Sequence, residues 1–428
     1  MIDLEDLRTR PDVYEKAAKD KGSKVSVKDF LKLDGRRKKL VPQVEKMRAE
    51  KNDVNKAMPT LKDEEKKKAV ADMKKLNEDL KKKEGDLETI EKDWKLTQLL
   101  LPQVPHESVP IGKDDSENVE VSSWGDKPSF DFEPKDHVSL GESLDIIDIP
   151  RGVKVAGSRS YFLKGDGMRL ELALLHYTLD HLIKKGFTAF APPLMATWDC
   201  FMGTGMFPGA EDQTYAVGAD REDGTIESDE LYLIGTSEVS VASYHKDEVL
   251  TDLPKRYCGL SNCFRREAGT YGKDTKGLYR IHQFQKVEQV VLCEADEATG
   301  LAMHEEIRQN AEEVLQALKL PYRVVNVCTG DMGQGKVFMQ DIETWMPSRD
   351  AYGETHSCSY LGDFQARRLN IKYEDASGEK KFCHTLNNTC IASPRILIPI
   401  LEIYQNADGS VTVPDVLRPY MGGQERIG

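Results

Sequence analysis

The 428-residue chain contains no run of 18 apolar residues, so no segment suits a membrane-spanning helix. No apolar stretch near Met1 resembles a leader. Eight cysteines are scattered without paired short spacings, which excludes a zinc framework or a disulfide framework and suits reduced thiols. A Walker-type phosphate loop is also missing. Cys328-Thr329-Gly330-Asp331-Met332-Gly333 follows a strand-like run but lacks the required spacing. The expectation is a soluble, cytoplasmic protein with no membrane contact.

The chain is too long for one core, and two or three domains are expected. Its net charge is −13, yet residues 21–100 hold 23 Lys or Arg against 16 Asp or Glu. A basic section on an acidic body suits docking of a polyanion, though a solvated helical face reads the same way. Within that section Leu33, Leu40, Met47 and Val54 recur every seven positions, with Val44 and Met58 on a second seam that Arg37 and Lys51 interrupt. After Met58-Pro59-Thr60, the series Met73, Leu80, Leu87 and Trp94 repeats the spacing, with Leu76 and Ile90 alongside. The pattern predicts two long helices folded back as an antiparallel coiled coil, interrupted in the second helix at Gly85. Residues 101–135, with five prolines and little periodicity, read as a linker or covering segment. Residues 199–230 read as a Gly- and acid-rich connection.

Residues 256–288 read as strand, polar loop, strand. The loop carries Gly269, Gly272 and Gly277, with Lys273 and Lys276 at its tip. Alternation along the return strand places Arg280, His282, Phe284, Lys286 and Glu288 on one face. A guanidinium suits a phosphate, and a ring such as Phe284 can stack on a base. A charged hairpin at a sheet edge would show the same alternation.

The runs Cys263-Phe264-Arg265-Arg266-Glu267-Ala268-Gly269 and His282-Gln283-Phe284-Gln285-Lys286-Val287-Glu288 resemble motif 2 of the class II aminoacyl-tRNA synthetases, and closely that of the seryl-tRNA synthetases. Lys185-Gly186-Phe187 with Pro193-Leu194-Met195 resembles motif 1, and His384-Thr385-Leu386-Asn387-Asn388-Thr389 with Ser393-Pro394-Arg395 resembles motif 3. The similarity spans nearly the whole chain. It implies an α+β fold: a class II antiparallel sheet flanked by helices, with an N-terminal antiparallel two-helix arm. Three regions are implied: 1–100, a tRNA-binding domain; 101–135, the linker; and 136–428, a catalytic domain carrying all three motifs.

The resemblance implies a serine-tRNA ligase that uses ATP with Mg²⁺, acts on L-serine and tRNA(Ser), and forms a homodimer through motif 1. Arg265 would hold the α-phosphate and the serine carboxylate, and Arg395 the γ-phosphate. Glu267 would accept from the adenine amine and Phe284 would stack on its ring. Glu354 and Ser357 would place Mg²⁺, being a carboxylate and a hydroxyl that can both ligate a hard cation. Thr236, Glu238, Glu288, Asn387 and Thr389 would surround serine. On the arm, Lys32, Arg36, Lys38, Lys39, Arg48, Lys51, Lys66, Lys74 and Lys75 are candidates for RNA-backbone contacts.

Several positions depart from the family pattern. Gly353 stands where an arginine is usual, His356 where a serine is, and Tyr360 where an asparagine is. Asn388 and Pro394 stand where glycines are. Asn388 can take a left-handed backbone; Pro394 fixes φ and removes a backbone donor just before Arg395, a change that is benign if a helix begins there. These departures keep a second reading open: a synthetase-like paralogue that lost aminoacylation and serves as a binding or structural protein.

Overall fold

The structure, a computed structural model, describes residues 1–220, 226–269 and 276–428. Gly272 and Lys273 of the hairpin loop lie outside the described residues, as do residues 221–225 of the connection. The chain divides into two compact units, Ile2–Pro102 and Gln103–Gly428 with Met1.

The first unit is helical: α1 (Leu4–Thr9), α2 (Pro11–Asp20), α3 (Val27–Ala57) and α4 (Asp63–Leu100). Pro11 opens α2, where its missing N–H costs nothing. Ser26 caps α3 by accepting from the Asp29 amide. Helices α3 and α4 have 31 and 38 residues and are joined through a short turn at Met58–Thr60, so each reaches roughly 45–57 Å. Val44, Met73, Leu80 and Ile90 are buried along their seam, as the seven-residue spacing predicts. Gly85 does not interrupt α4, which runs through it. A single glycine costs a helix about 1 kcal/mol, and the paired partner helix offsets that.

A polar residue sits at the base of this hairpin. Asp34 is buried and accepts from Arg8 Nε at 2.9 Å, Arg8 Nη2 at 3.1 Å and Trp94 Nε1 at 3.0 Å. The Arg8 guanidinium holds the Asp34 carboxyl below its usual range against the opposing effect of burial. One carboxylate thereby ties α1, α3 and α4 together.

The second unit is built on an eight-stranded sheet: β1 (Val119–Trp124), β2 (Thr188–Phe190), β3 (Lys255–Phe264), β4 (Gln283–Cys293), β5 (Tyr322–Asn326), β6 (Phe338–Met346), β7 (Ala351–Tyr360) and β8 (His384–Ser393). The spatial order is β1-β5-β6-β7-β8-β4-β3-β2. All neighbours are antiparallel except β2 and β3. The stretch 101–135 is thus more than a linker, because it supplies edge strand β1. Likewise 199–230 is not one connection: it holds the end of the helix Trp198–Thr204, and Ala216–Asp220 paired with Ile226–Leu233.

Helices α5 (Asp166–Lys184) and α6 (Glu297–Ala317) pack on one face of the sheet. Leu174, Leu175, Ile307, Ala311, Val287, Val291, Leu386 and Cys390 form the core there. The opposite face is polar over β4, β7 and β8 and carries the cavity described next. No helix among the described residues is long and apolar enough to cross a membrane.

Candidate active site

Two bulges set which side chains reach the polar face. Glu288 pairs with Thr389 while Val287 pairs with Ile391, so Cys390 is an extra residue in β8. Glu343 pairs with Glu354 while Ile342 pairs with His356, so Thr355 is extra in β7. In a regular strand, residues three apart point to opposite faces. The extra residue returns Glu354 to the side of Ser357, and both line one cavity of about 360 Å³. Thr236, Glu238, Arg265, Glu267, Phe284, Glu288, Asn387, Thr389 and Arg395 line it too.

One end of the cavity is a dense hydrogen-bond network. Lys286, buried but lining this end of the cavity, donates to Thr236 Oγ1 at 2.8 Å and Thr389 Oγ1 at 3.3 Å and forms an ion pair with Glu288 Oε2 at 2.5 Å. Glu288 also accepts from Asn387 Nδ2 and Thr389 Oγ1, both at 3.1 Å. Glu238 accepts from Gln365 Nε2 at 2.7 Å. Burial, reinforced by the Glu288 charge, pushes the Glu238 carboxyl above its usual range. The segment Thr236–Glu238 can lie this close because its neighbour is Gly259. A Cβ there would meet Ser237 Oγ at 2.7 Å and Ser237 Cβ at 2.9 Å.

The other end is cationic and aromatic. Arg265 leaves β3 with its backbone N donating to the His282 carbonyl at 2.9 Å. Its Nε donates to the Gly235 carbonyl at 3.3 Å, and its guanidinium lies 5.2 Å from the Phe284 ring centroid. Glu267 has a φ of +52° and accepts from Arg280 Nη1 at 3.1 Å. Arg395 donates from Nε to the Tyr279 carbonyl at 3.0 Å and from Nη1 to the Glu354 carbonyl at 2.8 Å. Its guanidinium also lies 4.4 Å from the Tyr279 ring centroid.

Glu354 and Ser357 present oxygen donors, the ligand type that Mg²⁺ takes. Asp341 lies opposite Ser357 in register and is buried, with Oδ1 lacking a hydrogen-bond partner. Burial and the Glu354 charge push its carboxyl well above the usual range. Among the described residues, no group of three or more His, Cys, Asp and Glu side chains could hold a metal. The residues fit a cation whose remaining ligands come with a phosphate substrate or water.

Some expectations require correction. Strand β4 starts at Gln283, so Arg280 and His282 precede it. Arg280 reaches the cavity from the loop, whereas His282 is not among the lining residues and places Nδ1 3.0 Å from the Arg265 carbonyl. Asn388 does not take a left-handed backbone. It is an extended residue of β8 whose Nδ2 donates to the Ile307 carbonyl at 2.6 Å. Pro394 does not start a helix: the next helix runs Leu397–Ile403, and Pro394–Ile396 form a turn. Arg395 still lines the cavity from that turn. His356 is buried outside the lining residues, hydrogen-bonded to Thr355 Oγ1 at 2.7 Å. Burial pushes its pKa down to about 3, so it is neutral. The sequence also left Lys286, Lys336, Asp341 and Gln365 without roles. Only Lys286 carried a local signal, its place in the alternating run.

The chain is similar to known proteins over both of its units. Residues 1–105 match the model of the seryl-tRNA synthetase N-terminal domain, and residues 221–404 match the class II tRNA synthetase core domain (G, H, P, S and T). The chain is 46% identical over 430 residues to a serine–tRNA ligase of Deinococcus radiodurans, covering 100% of this chain and 99% of that one. It is 42% identical over 432 residues to that of Trichlorobacter lovleyi, covering 100% of both. Among solved structures, a seryl-tRNA synthetase of Pyrococcus horikoshii complexed with ATP superposes with a TM-score of 0.87 at 38% identity, covering 100% of this chain and 99% of that one. The cytoplasmic serine–tRNA ligase of Naegleria fowleri in complex with AMP gives 0.82 at 31%, covering 97% and 95%.

Proposed function

The chain belongs to the class II seryl-tRNA synthetases, and on that premise we propose how its residues carry the reaction. It is an ATP-dependent serine–tRNA ligase that activates L-serine and charges tRNA(Ser). The serine carboxylate attacks the α-phosphorus of ATP, forming seryl-adenylate and releasing pyrophosphate. A terminal ribose hydroxyl of tRNA(Ser) then attacks the seryl carbonyl and releases AMP. Neither step needs a protein nucleophile, so catalysis rests on placement and charge stabilisation.

Arg265 holds the α-phosphate against the serine carboxylate, and Arg395 holds the γ-phosphate. Phe284 stacks on adenine and Glu267 accepts from its amine. Glu238 and Glu288 take the serine ammonium, while Thr236, Asn387 and Thr389 complete the pocket. Glu354 and Ser357 would hold Mg²⁺, which would supply neutralisation of phosphate charge. A site that hydrogen-bonds the serine hydroxyl rejects alanine, because alanine leaves buried polar groups unpaired.

Residues 1–100 serve as the tRNA-binding domain and 136–428 as the catalytic domain, with 101–135 covering the catalytic unit and adding its edge strand β1. On the arm, Arg36, Lys39, Lys66, Lys74 and Lys75 are exposed and without an ion pair among the described residues, which suits RNA-backbone contacts. Lys32, Lys38 and Arg48 are engaged by Asp29, Asp34 and Glu84. Exposed Val155, Phe162 and Met168, beside and at the start of helix α5, support a homodimer.

The observation that carries this reading is the convergence of eleven site residues expected from the sequence, far apart along the chain, on one cavity. Serine-dependent ATP–pyrophosphate exchange without tRNA tests it. Exchange with serine, lost in folded Arg265→Ala, is the expected result. No exchange from a folded, ATP-binding sample would overturn it.

A further inference from the structure

Lys286 has no role in the scheme above, yet its ammonium lies at the centre of the amino-acid end of the cavity. It is 4% exposed, donates to Thr236 Oγ1 and Thr389 Oγ1, and forms an ion pair with Glu288 Oε2. An ammonium has three donors and no acceptor; two are taken by the threonine hydroxyls, and its charge is set against the Glu288 carboxylate, so it acts on the pocket through these three groups.

A hydroxyl has two lone pairs and one hydrogen. At Thr236 the lone pairs receive Lys286 Nζ at 2.8 Å and the Glu238 backbone N–H at 3.3 Å. Its hydrogen remains for the cavity that Thr236 lines. At Thr389 the hydroxyl accepts from Lys286 and spends its hydrogen on Glu288 Oε2 at 3.1 Å. Glu288 also orients Asn387: an ionised carboxylate only accepts, so Nδ2 must face it. The amide oxygen of Asn387 then points elsewhere, buried and without a partner.

We propose that Lys286 is a specificity-determining positioning residue that sets the hydrogen-bond polarity of the amino-acid pocket, making Thr236 a donor and, through Glu288, Asn387 Oδ1 an acceptor. A ligand fitting this pattern offers an acceptor oxygen to Thr236 and a donor to Asn387. With the carboxylate on Arg265 and the ammonium on Glu238 and Glu288, the serine hydroxyl is the group that can both accept from Thr236 and donate to Asn387 Oδ1, and alanine lacks it. This inference rests on the serine-activating function proposed above.

The test is a double-mutant cycle in full-length protein, pairing Lys286→Met with Thr236→Val and reading serine- and alanine-dependent pyrophosphate exchange. ATP binding without amino acid, by calorimetry, reports folding. Lys286→Met is expected to lower kcat/KM for serine roughly ten- to hundred-fold, the span of a lost hydrogen bond to a charged group. The loss should lie mainly in KM, and the preference for serine over alanine should narrow. Lys286→Gln, which keeps N–H donors without charge, should recover part of the preference. Thr236→Val should cost much less in the Lys286→Met background than in wild type. Equal cost in both backgrounds, or an unchanged serine-to-alanine ratio in Lys286→Met, overturns the proposal. If Lys286→Met fails to bind ATP, the same cycle with Lys286→Gln decides by the same criterion. Absence of serine exchange in the wild type would instead refute the underlying function.

Discussion

Arg395 and Tyr279 are joined twice: the guanidinium donates to the tyrosine's own carbonyl at 3.0 Å and lies 4.4 Å from the centroid of its ring. Arg349 lies 4.1 Å from the same centroid. Removing the ring leaves the carbonyl contact intact, so Tyr279→Leu isolates the aromatic part. A cation–π contact is worth about 0.5–2 kcal/mol, so KM for ATP should rise roughly 2- to 30-fold with KM for serine little changed. Pyrophosphate exchange at varied ATP measures this, and equal changes for both substrates would contradict it.

Gly259→Ala should act on serine through Ser237. The added Cβ would press on Ser237 Cβ and Oγ, a small-to-large change costing about 1–3 kcal/mol. Urea denaturation should show the loss, and KM for serine should rise. Ser237→Gly in the same chain removes both obstructing atoms and should restore much of the affinity. Failure of that rescue would place the cause elsewhere.

Asp34→Ala should separate arm from chemistry. It leaves Arg8 and the Trp94 N–H without their shared acceptor, a loss of roughly 2–4 kcal/mol to the helical unit. Charging of tRNA(Ser) should fall while serine-dependent exchange without tRNA persists. Comparable losses in both assays would show that Asp34 matters beyond the arm.

His304 makes stability depend on acid. It is buried, with Nε2 3.2 Å from the Cys358 carbonyl, and burial pushes its pKa down to about 4 from an ordinary 6.5. Between these values the unfolded chain binds a proton that the folded chain does not. Stability therefore falls as pH drops through this window, by roughly 1.4 kcal/mol per pH unit from this residue. In His304→Gln the urea midpoint should vary less between pH 6.5 and 4.5 than in wild type. An unchanged slope would remove His304 as a source.

The coiled-coil arm was legible because its signal is periodic: Leu33, Leu40, Met47 and Val54 repeat against Met73, Leu80, Leu87 and Trp94. The class II fold and the family were legible because the motifs are contiguous strings. Asp34 was not, since nothing near it in sequence announces Arg8 or Trp94 as partners. Gln365, Asp341 and Lys336 escaped for the same reason: each reaches the site across the fold. Asn388 and Pro394 were misread because glycine's usual place suggested a backbone need. In the sheet, Asn388 is extended and supports α6 through its side chain.

The extra residues Thr355 and Cys390 put a shift of phase into two adjacent strands. On either side of each, odd and even positions exchange roles between interior and cleft. A chimera that joins this sheet to a relative's inside β7 or β8 must therefore splice on the same side of the shift in both parents. A crossover that drops or doubles one residue leaves every hydrogen-bonding motif readable in the sequence, yet turns the carboxylate of Glu354 or the hydroxyl of Thr389 inward. For recombination libraries built on this scaffold, the permitted junctions lie outside 354–357 and 387–391.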